Sequence, residues 1–459
     1  MDNREYLFRE MPVQKAVLTL VVPTVVSQLI TMIYNLADTF FIGQLNDPRQ
    51  VAAATVSMPL FVSLTALSNL FGIGGASKIS RCLGRGETEN AAASASFAFW
   101  TAAVVSLIYG IVILLAAPAL LPVLGAKADT YDYCYRYIFW VVVVGALPTV
   151  LNVTMSHLVR AEGYSRQAGF GVALGGVLNI VLDPVFIYGL KLEIRGAAIA
   201  TMLSNLIAAL FFLIFLYRKR KSTVITLDIR RYAVKNRIAS DILLGGLPSF
   251  TMMMLSCLSN SVLNHLITSW STEAMAGMGI AKKIDMVSYS VAQGMTQGVL
   301  PLIAYNYASG DKKRMNKSIG VTLAYTLTFS VTALIVLYFF AEPVVQLFIK
   351  DPETVAYGQK FVKIICFLCP STGINYMVIA VFQATKQRTQ SIILSVLRKG
   401  SLDIPLMIAF SRFFGVEMVA WASPISDWIA LVVALFMLIP FLKKMRKQSE
   451  VGGRTEQIV

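Results

Sequence analysis

Residues 178–186 read LNIVLDPVF and place an amide and a carboxylate inside a long apolar stretch. Asn179 and Asp183 are four residues apart, so a helix puts both side chains on one face, one turn above the other. A carboxylate at the bilayer centre costs about 3 kcal/mol to insert and usually marks a substrate or ion pathway. Pro184 follows directly, and its missing backbone bond frees a carbonyl group nearby. This pattern predicts a site that holds a proton or a small cation.

A second group of polar residues forms one stripe along the first apolar stretch. On a helical wheel its members fall within an arc of roughly 100°; they are Ser27, Gln28, Thr31, Asn35 and Asp38. Such a stripe should face the protein interior rather than lipid. Asp38 and Asp183 are then two carboxylates near mid-membrane, and Thr201 could join them. Ionisation of both carboxylates in one pocket without water costs much free energy, so the pair can hold a proton or a cation. The alternative for each acid is a purely structural hydrogen bond to a neighbouring helix, with no role in ion binding.

The elements that must position these residues are membrane-spanning helices. The 459 residues are 56% hydrophobic and only 14% charged, with a mean hydropathy of +0.66, whereas a soluble domain is usually about 25% charged. Apolar runs of about 20 residues, long enough to cross a hydrocarbon core of about 30 Å, recur along the whole chain. We count about twelve, centred near residues 30, 65, 105, 148, 178, 207, 254, 290, 330, 373, 400 and 430. We expect an all-α polytopic membrane protein with twelve transmembrane helices.

Other residue types point away from catalysis. The five cysteines are too few and too scattered for a disulfide framework. The two histidines, His157 and His265, lack metal-ligand spacing, and no nucleophile–base constellation accompanies them. The N-terminus, MDNREYLFREMPVQK, resembles no cleavable signal. We therefore expect neither an enzyme nor a bound metal or cofactor.

The distribution of Lys and Arg predicts the orientation. Most of the 40 basic residues fall in the termini and the even-numbered loops, so both termini should face the cytoplasm. The formal net charge of +15 follows from this bias and requires no nucleic acid. We expect the chain to lie in a lipid bilayer with both termini in the cytoplasm.

The second half of the chain repeats the first. Pro148–Asn205 aligns without a gap to Pro370–Asp427 at an offset of 222 residues, and the first helix of each half matches at an offset of 225. Each copy holds six spans, an even number, so both copies enter the bilayer in the same orientation. This predicts two six-helix bundles related by a pseudo-two-fold axis along the membrane normal. The expected lobes are residues 1–217 and 241–459, joined by a basic cytoplasmic linker at 218–240.

The two copies differ at the residues that could bind an ion. The repeat places Leu263 at the position of Asp38, Ser401 at that of Asn179 and Pro405 at that of Asp183. Ion chemistry is therefore expected in the N-lobe only. The second half has charges of its own inside spans: Lys282, Lys283, Asp285, Arg398, Lys399, Asp403 and Asp427. Its lysines can snorkel, pair within the membrane, as Lys282 could with Asp285, or face a substrate.

The assembled pattern resembles the multidrug and toxic compound extrusion (MATE) family, in its MepA-like bacterial branch. The motifs that carry the resemblance are PTVVSQLITMIYNLADTFFIG, LGRGETENA, LNIVLDP, GAAIAT and QGVLPLIAYNYASG. The resemblance implies a V-shaped pair of six-helix bundles that exports amphipathic, often cationic compounds in exchange for H⁺ or Na⁺. It implies an ion-coupling site formed by Asp38, Asn179, Asp183 and Thr201, with Tyr34 and Asn35 as cavity residues beside it. With this resemblance we expect a monomer in the lipid bilayer of a bacterial cytoplasmic membrane, with small molecules as its partners.

The polar stripe and its repeat add Gln28, Ser256 and Asn260 to the expected substrate cavity. The sequence departs from the NorM-type branch of the family, in which the seventh and tenth spans are expected to carry carboxylates. Here the seventh span carries Ser256 near the expected place and the tenth has no acid. This departure removes the second expected cation site, and the basic residues of the C-lobe argue against a purely cationic substrate range.

We expect a secondary active antiporter that exports amphipathic, cationic drugs in exchange for H⁺, or for Na⁺, by alternating access. Two alternatives stay open on the same fold. An exporter of an anionic metabolite is favoured by the basic residues of the second half. A lipid-linked glycan flippase of the same superfamily should have an arginine-rich central cavity and often extra spans, and the twelve-span count argues against it.

Overall fold

The computed structural model describes residues 5–45, 47–234 and 237–455, and within these ranges every regular element is a helix. Nine of these helices are long and apolar enough to cross a membrane, and a bent pair makes a tenth. The prediction of an all-α polytopic membrane protein is confirmed.

The described part of the first half contains six spans in chain order. They are α1 (Val13–Gly43), α2 (Pro48–Gly84), α3 (Thr88–Leu124), α4 (Tyr131–Val144 and Ala146–Ala161), α5 (Ser165–Gly189) and α6 (Glu193–Lys219). The two segments of α4 meet at an angle of 48°, next to Gly145. A π-helical turn precedes this bend at Phe139–Val144, and another ends α5 at Val185–Gly189. Such turns widen a helix locally and are frequent at functional sites.

The described part of the second half contains six further long helices, with a short helix at Ala341–Gln346 between the third and the fourth. They are α7 (Ile238–Thr268), α8 (Thr272–Ser309), α9 (Lys312–Phe339), α10 (Pro352–Ala384), α11 (Arg388–Val396 and Asp403–Phe413, joined by the π-helical turn Leu397–Ser401) and α12 (Val416–Thr455). The spans predicted near residues 290 and 400 correspond to α8 and α11. Both are helical, but they do not count among the ten.

Short-range signals in the sequence explain where several helices begin and end. Asp47 and Asp351 are N-caps whose carboxylates accept hydrogen bonds from the backbone N–H groups of Arg49 and Thr354, at 3.0 and 2.9 Å. A proline follows each cap at the first helical position, where its missing N–H is harmless. The bonds from Thr354 hold the pKa of Asp351 below its usual value. In the repeated loops after α2 and α8, Gly86 and Gly310 have φ values of 74° and 90°.

The chain divides into two compact units. The first-half unit comprises Val26–Phe250, and the second-half unit comprises Met1–Val25 with Thr251–Val459. The division thus falls inside α1 and inside α7. The lobe boundaries at residues 217 and 241 stay a prediction.

In the first-half unit, the beginning of α7 lies directly on the end of α2. A Cβ atom added to Gly246 would lie 1.8 Å from the backbone oxygen of Leu70, and one added to Gly74 would lie 2.0 Å from that of Ile242. Only glycine permits this backbone contact. One turn further along α2, the Lys78 ammonium lies 2.9 Å from the Asp241 carboxylate, and both side chains are buried.

Candidate ion-coupling site

α5 and α6 bring three of the predicted site residues together in the first-half unit. The side-chain amide of Asn179 donates to Asp183 Oδ1 at 3.3 Å and to Thr201 Oγ1 at 3.2 Å. Asp183 is fully buried, and Asn179 and Thr201 are only 2% and 7% exposed. The four-residue spacing of Asn179 and Asp183 places both side chains on one face of α5, where they are hydrogen-bonded.

Glycines on α5 allow the neighbouring helices to come this close. A Cβ atom on Gly171 would lie 2.4 Å from the ring of Phe212, and one on Gly175 would lie 3.2 Å from Cβ of Ala208; both partners belong to α6. On the next glycine the neighbour is α1, because a Cβ on Gly176 would lie 3.1 Å from Cδ1 of Tyr34. Small residues at helix contacts are the usual means of close approach in a membrane.

α1 brings the second carboxylate to this region. Asp38 lies one helical turn after Tyr34, and its carboxylate interacts electrostatically with that of Asp183. The Tyr34 hydroxyl is within electrostatic reach of both acids. The sequence-based grouping of Asp38 with Asn179, Asp183 and Thr201 thus corresponds to one region of the first-half unit.

Three oxygen atoms of this region are buried and have no hydrogen-bond partner among the described residues. They are Asp38 Oδ1, Asn179 Oδ1 and Asp183 Oδ2. Buried polar atoms are nearly always satisfied, so an orphan needs an explanation. Carboxylate and amide oxygens are the ligands that hard cations prefer, and a proton on one carboxylate would supply the missing donor equally well. Within the described residues, no cluster of three or more His, Cys, Asp or Glu side chains suits a metal ion.

The rest of the polar stripe on α1 makes local bonds. Thr31 Oγ1 donates to the backbone oxygen of Ser27 at 2.9 Å, and the Asn35 amide donates to that of Thr31 at 2.9 Å. Ser27 is buried, whereas Gln28, Tyr34 and Asn35 are half-buried. Two of the other expected cavity residues lie on α7 in the second-half unit: Ser256 is half-buried and Asn260 is exposed. Their role in a substrate cavity stays a prediction.

Three charged residues of α11, Arg398, Lys399 and Asp403, take part in two buried networks in the second-half unit. In the first, the Arg398 guanidinium binds both oxygens of Asp427, at 2.6 and 3.0 Å. It also donates to Thr372 Oγ1 at 2.9 Å and lies 4.7 Å from the ring centre of Tyr376. Arg398 is 3% exposed and Asp427 is fully buried. The arginine is therefore neutralised by a bidentate pair, which is the strong form of this interaction.

The second network is centred on Asp403, which is also fully buried. Its Oδ2 accepts hydrogen bonds from Ser259 at 2.6 Å and from the Lys399 ammonium at 3.4 Å, and its Oδ1 accepts one from Ser423 at 2.8 Å. The four-residue spacing of Lys399 and Asp403 could have revealed this pair in the sequence. Lys282 and Asp285, the pair that the sequence favoured, interact only at longer range.

Known proteins are similar to this chain over nearly its whole length. The family model MatE matches residues 23–185 and 248–408, one match in each half of the chain. The multidrug export protein MepA of Staphylococcus haemolyticus (strain JCSC1435) is 28% identical over 437 residues, covering 95% of this chain and 96% of that protein. The MepA of Staphylococcus aureus (strain MRSA252) is 30% identical over 445 residues, covering 97% of each chain.

Solved structures of MATE proteins have the same fold as this chain. A crystal structure described as MATE in complex with MaL6 superposes with a TM-score of 0.91 at 25% identity, covering 97% of this chain and 100% of that one. An outward-facing multidrug resistance MATE transporter of the MOP superfamily superposes equally well, with a TM-score of 0.91 at 25% identity, over 97% and 99% of the two chains.

Proposed function

Since the chain belongs to the MatE family of multidrug efflux transporters, we propose that it is a secondary active antiporter. It exports amphipathic, cationic drugs and takes up H⁺ in exchange by alternating access, with Na⁺ as the alternative coupling ion. Members of this family are transporters rather than enzymes, and the apolar helices make the chain a multi-pass membrane protein.

The observation that carries the proposal is the set of orphaned oxygens on Asp38, Asn179 and Asp183. A site that is silent and structural would satisfy these atoms internally, because each buried orphan costs about 1–3 kcal/mol. A site that loads and unloads an ion must leave them available in at least one state. Thr201 supports the site by accepting the hydrogen bond that orients the Asn179 amide.

The coupling follows from where the acids lie. Asp38 is on α1 and Asp183 is on α5, so a proton or cation bound at this site changes the attraction between the two helices. Substrate and ion then favour different states of α1, and each shifts the population that the other binds. One charge moving down 100 mV supplies about 2.3 kcal/mol, which is enough to bias such a cycle. We propose that Gln28, Tyr34 and Asn35 in the first-half unit contact the substrate, and that Ser256 and Asn260 do so in the second-half unit.

The internal pairing in the second-half unit supports the cationic substrate range. Arg398 and Lys399 each have a buried acid as partner, so neither adds a free positive charge for an anionic metabolite or a lipid-linked glycan to bind. We further propose a monomer in the cytoplasmic membrane of a bacterium with both termini in the cytoplasm.

The test is efflux of a cationic dye from proteoliposomes, with H⁺ and Na⁺ gradients imposed separately. Asp38→Asn and Asp183→Asn should each reduce gradient-driven efflux at least tenfold, because either change replaces an ionisable carboxylate of the site by a neutral amide. Asp132→Asn is the matched control, since that carboxylate is 64% exposed and pairs with Arg136 on the surface. Gradient-driven efflux at the wild-type rate in both site variants would contradict the proposal.

A further inference from the structure

The polar groups around Asp183 and Asp403 resemble each other, although Lys399 and Asp403 lie two residues before Ser401 and Pro405, the repeat equivalents of Asn179 and Asp183. In α5, Asn179 donates to the carboxylate four residues later; in α11, Lys399 does the same. The next helix supplies a hydroxyl to each group: Thr201 in α6 binds Asn179, and Ser423 in α12 binds Asp403. Thr201 and Ser423 occupy equivalent positions of the repeat, at the offset of 222 residues.

We propose that Asp403, Ser259 and Ser423 form a second site for a monovalent cation, and that the Lys399 ammonium of the chain itself occupies it. This inference rests on the proposed antiport, because it concerns how many ions are coupled to each substrate. The second-half unit then contributes no exchangeable ion, and the cycle couples ions at the Asp38/Asp183 site alone.

Hydrogen-bond satisfaction distinguishes the two sites. Both oxygens of Asp403 are bonded, one by Ser423 and the other by Ser259 and Lys399. In the α5 site, Asp183 Oδ2 is without a partner among the described residues. Charge compensation also differs, because of the residue four positions before each acid. Asn179 is a neutral donor and leaves the negative charge of Asp183 uncompensated, whereas Lys399 is a cation and cancels the charge of Asp403.

The other charged groups near Lys399 balance one another, so the charge of Asp403 stays neutralised. The charged groups that interact with this region are Lys282, Asp285, Arg398 and Asp427. Arg398 and Asp427 neutralise each other at 2.6 Å, and Lys282 and Asp285 have opposite charges. The cluster as a whole, Asp403 and Lys399 included, therefore carries equal numbers of positive and negative groups, and a further cation would add an uncompensated charge.

The decisive variant is Lys399→Met, which removes the internal cation and keeps the apolar stem. Proteoliposomes clamped at zero membrane potential would receive a tenfold H⁺ or Na⁺ gradient, and the equilibrium substrate gradient would be measured. Each coupled ion multiplies that gradient about tenfold at a tenfold ion ratio. We expect Lys399→Met to raise the substrate gradient about tenfold over wild type for one of the two ions.

Three variants complete the test. Lys399→Arg retains the cation and should restore the wild-type ratio, and Lys399→Met with Asp403→Asn should do so because the second site is then gone. Lys283 is exposed and follows Lys282 in α8, so Lys283→Met controls for the loss of a basic residue. An unchanged ratio in Lys399→Met would overturn the inference. Loss of coupling in the double variant would also overturn it, and the double variant provides this test if Lys399→Met fails to fold. Absence of coupling in the wild type would instead refute the antiport itself.

Discussion

The side-chain amide of Asn179 donates to one oxygen of Asp183 at 3.3 Å and leaves the other oxygen without a partner among the described residues. The amide thus orients the carboxylate without neutralising it. Because the same amide also binds Thr201 at 3.2 Å, the carboxylate has a defined position on α5. An oriented, uncompensated carboxylate is what ion coupling requires.

Asn179→Lys should convert this site into the kind of site formed by Lys399 and Asp403. The new ammonium would lie four residues before Asp183 and pair with it, so an incoming ion would no longer find a free negative charge. We expect gradient-driven efflux in proteoliposomes to fall at least tenfold, while thermal unfolding of the purified protein shows no loss of stability. Gln44→Lys, at an exposed position just beyond α1, is the matched addition of charge. Full ion coupling in Asn179→Lys would show that Asp183 is not the coupling acid.

Asp427→Ala should strongly destabilise the protein. The Arg398 guanidinium would stay buried with its charge uncompensated, and breaking a buried pair in this way typically costs about 3–5 kcal/mol. The free energy of unfolding in detergent measures the effect. Glu417→Ala removes the partner of Lys360 in a pair that is 58% and 51% exposed, and we expect little change there. Equal stability of the two variants would mean that Arg398 gains other compensation, such as water.

Gly246→Ala should disrupt the contact between α2 and α7. The added methyl group would lie 1.8 Å from the backbone oxygen of Leu70, and no side chain can move to relieve a clash with a backbone. Overpacking of this kind costs about 1–3 kcal/mol or more, which a thermal-shift measurement detects.

Gly279→Ala in α8 provides the opposite case, because a Cβ there meets nothing within 4 Å. Alanine favours a helix over glycine by up to about 1 kcal/mol, so this variant should be as stable as the wild type or more so. A Gly246→Ala variant that unfolds at the wild-type temperature would refute the close backbone contact.

Local patterns allowed most helices to be predicted, because the length of an apolar run depends only on neighbouring residues. This holds even for α8, whose charged residues interrupt the apolar pattern without breaking the helix, and for the two segments of α11. The bend of 48° in α4 was not predicted. It lies beside Gly145, where an added Cβ would be 2.4 Å from the backbone oxygen of Val141, and the run FWVVVV before it shows no obvious sign of a π-helical turn.

The sequence by itself determined the helices, the repeat and the contact of Asn179 with Asp183, since residues four apart on a helix meet whatever surrounds them. Only the tertiary structure decided which charges are compensated. Arg398 and Asp427 are 29 residues apart and meet because α11 lies against α12, while Ser259 reaches Asp403 from a distance of 144 residues in the chain. Compensation of a buried charge depends on every atom within a few ångströms, and those atoms come from helices that are remote in sequence.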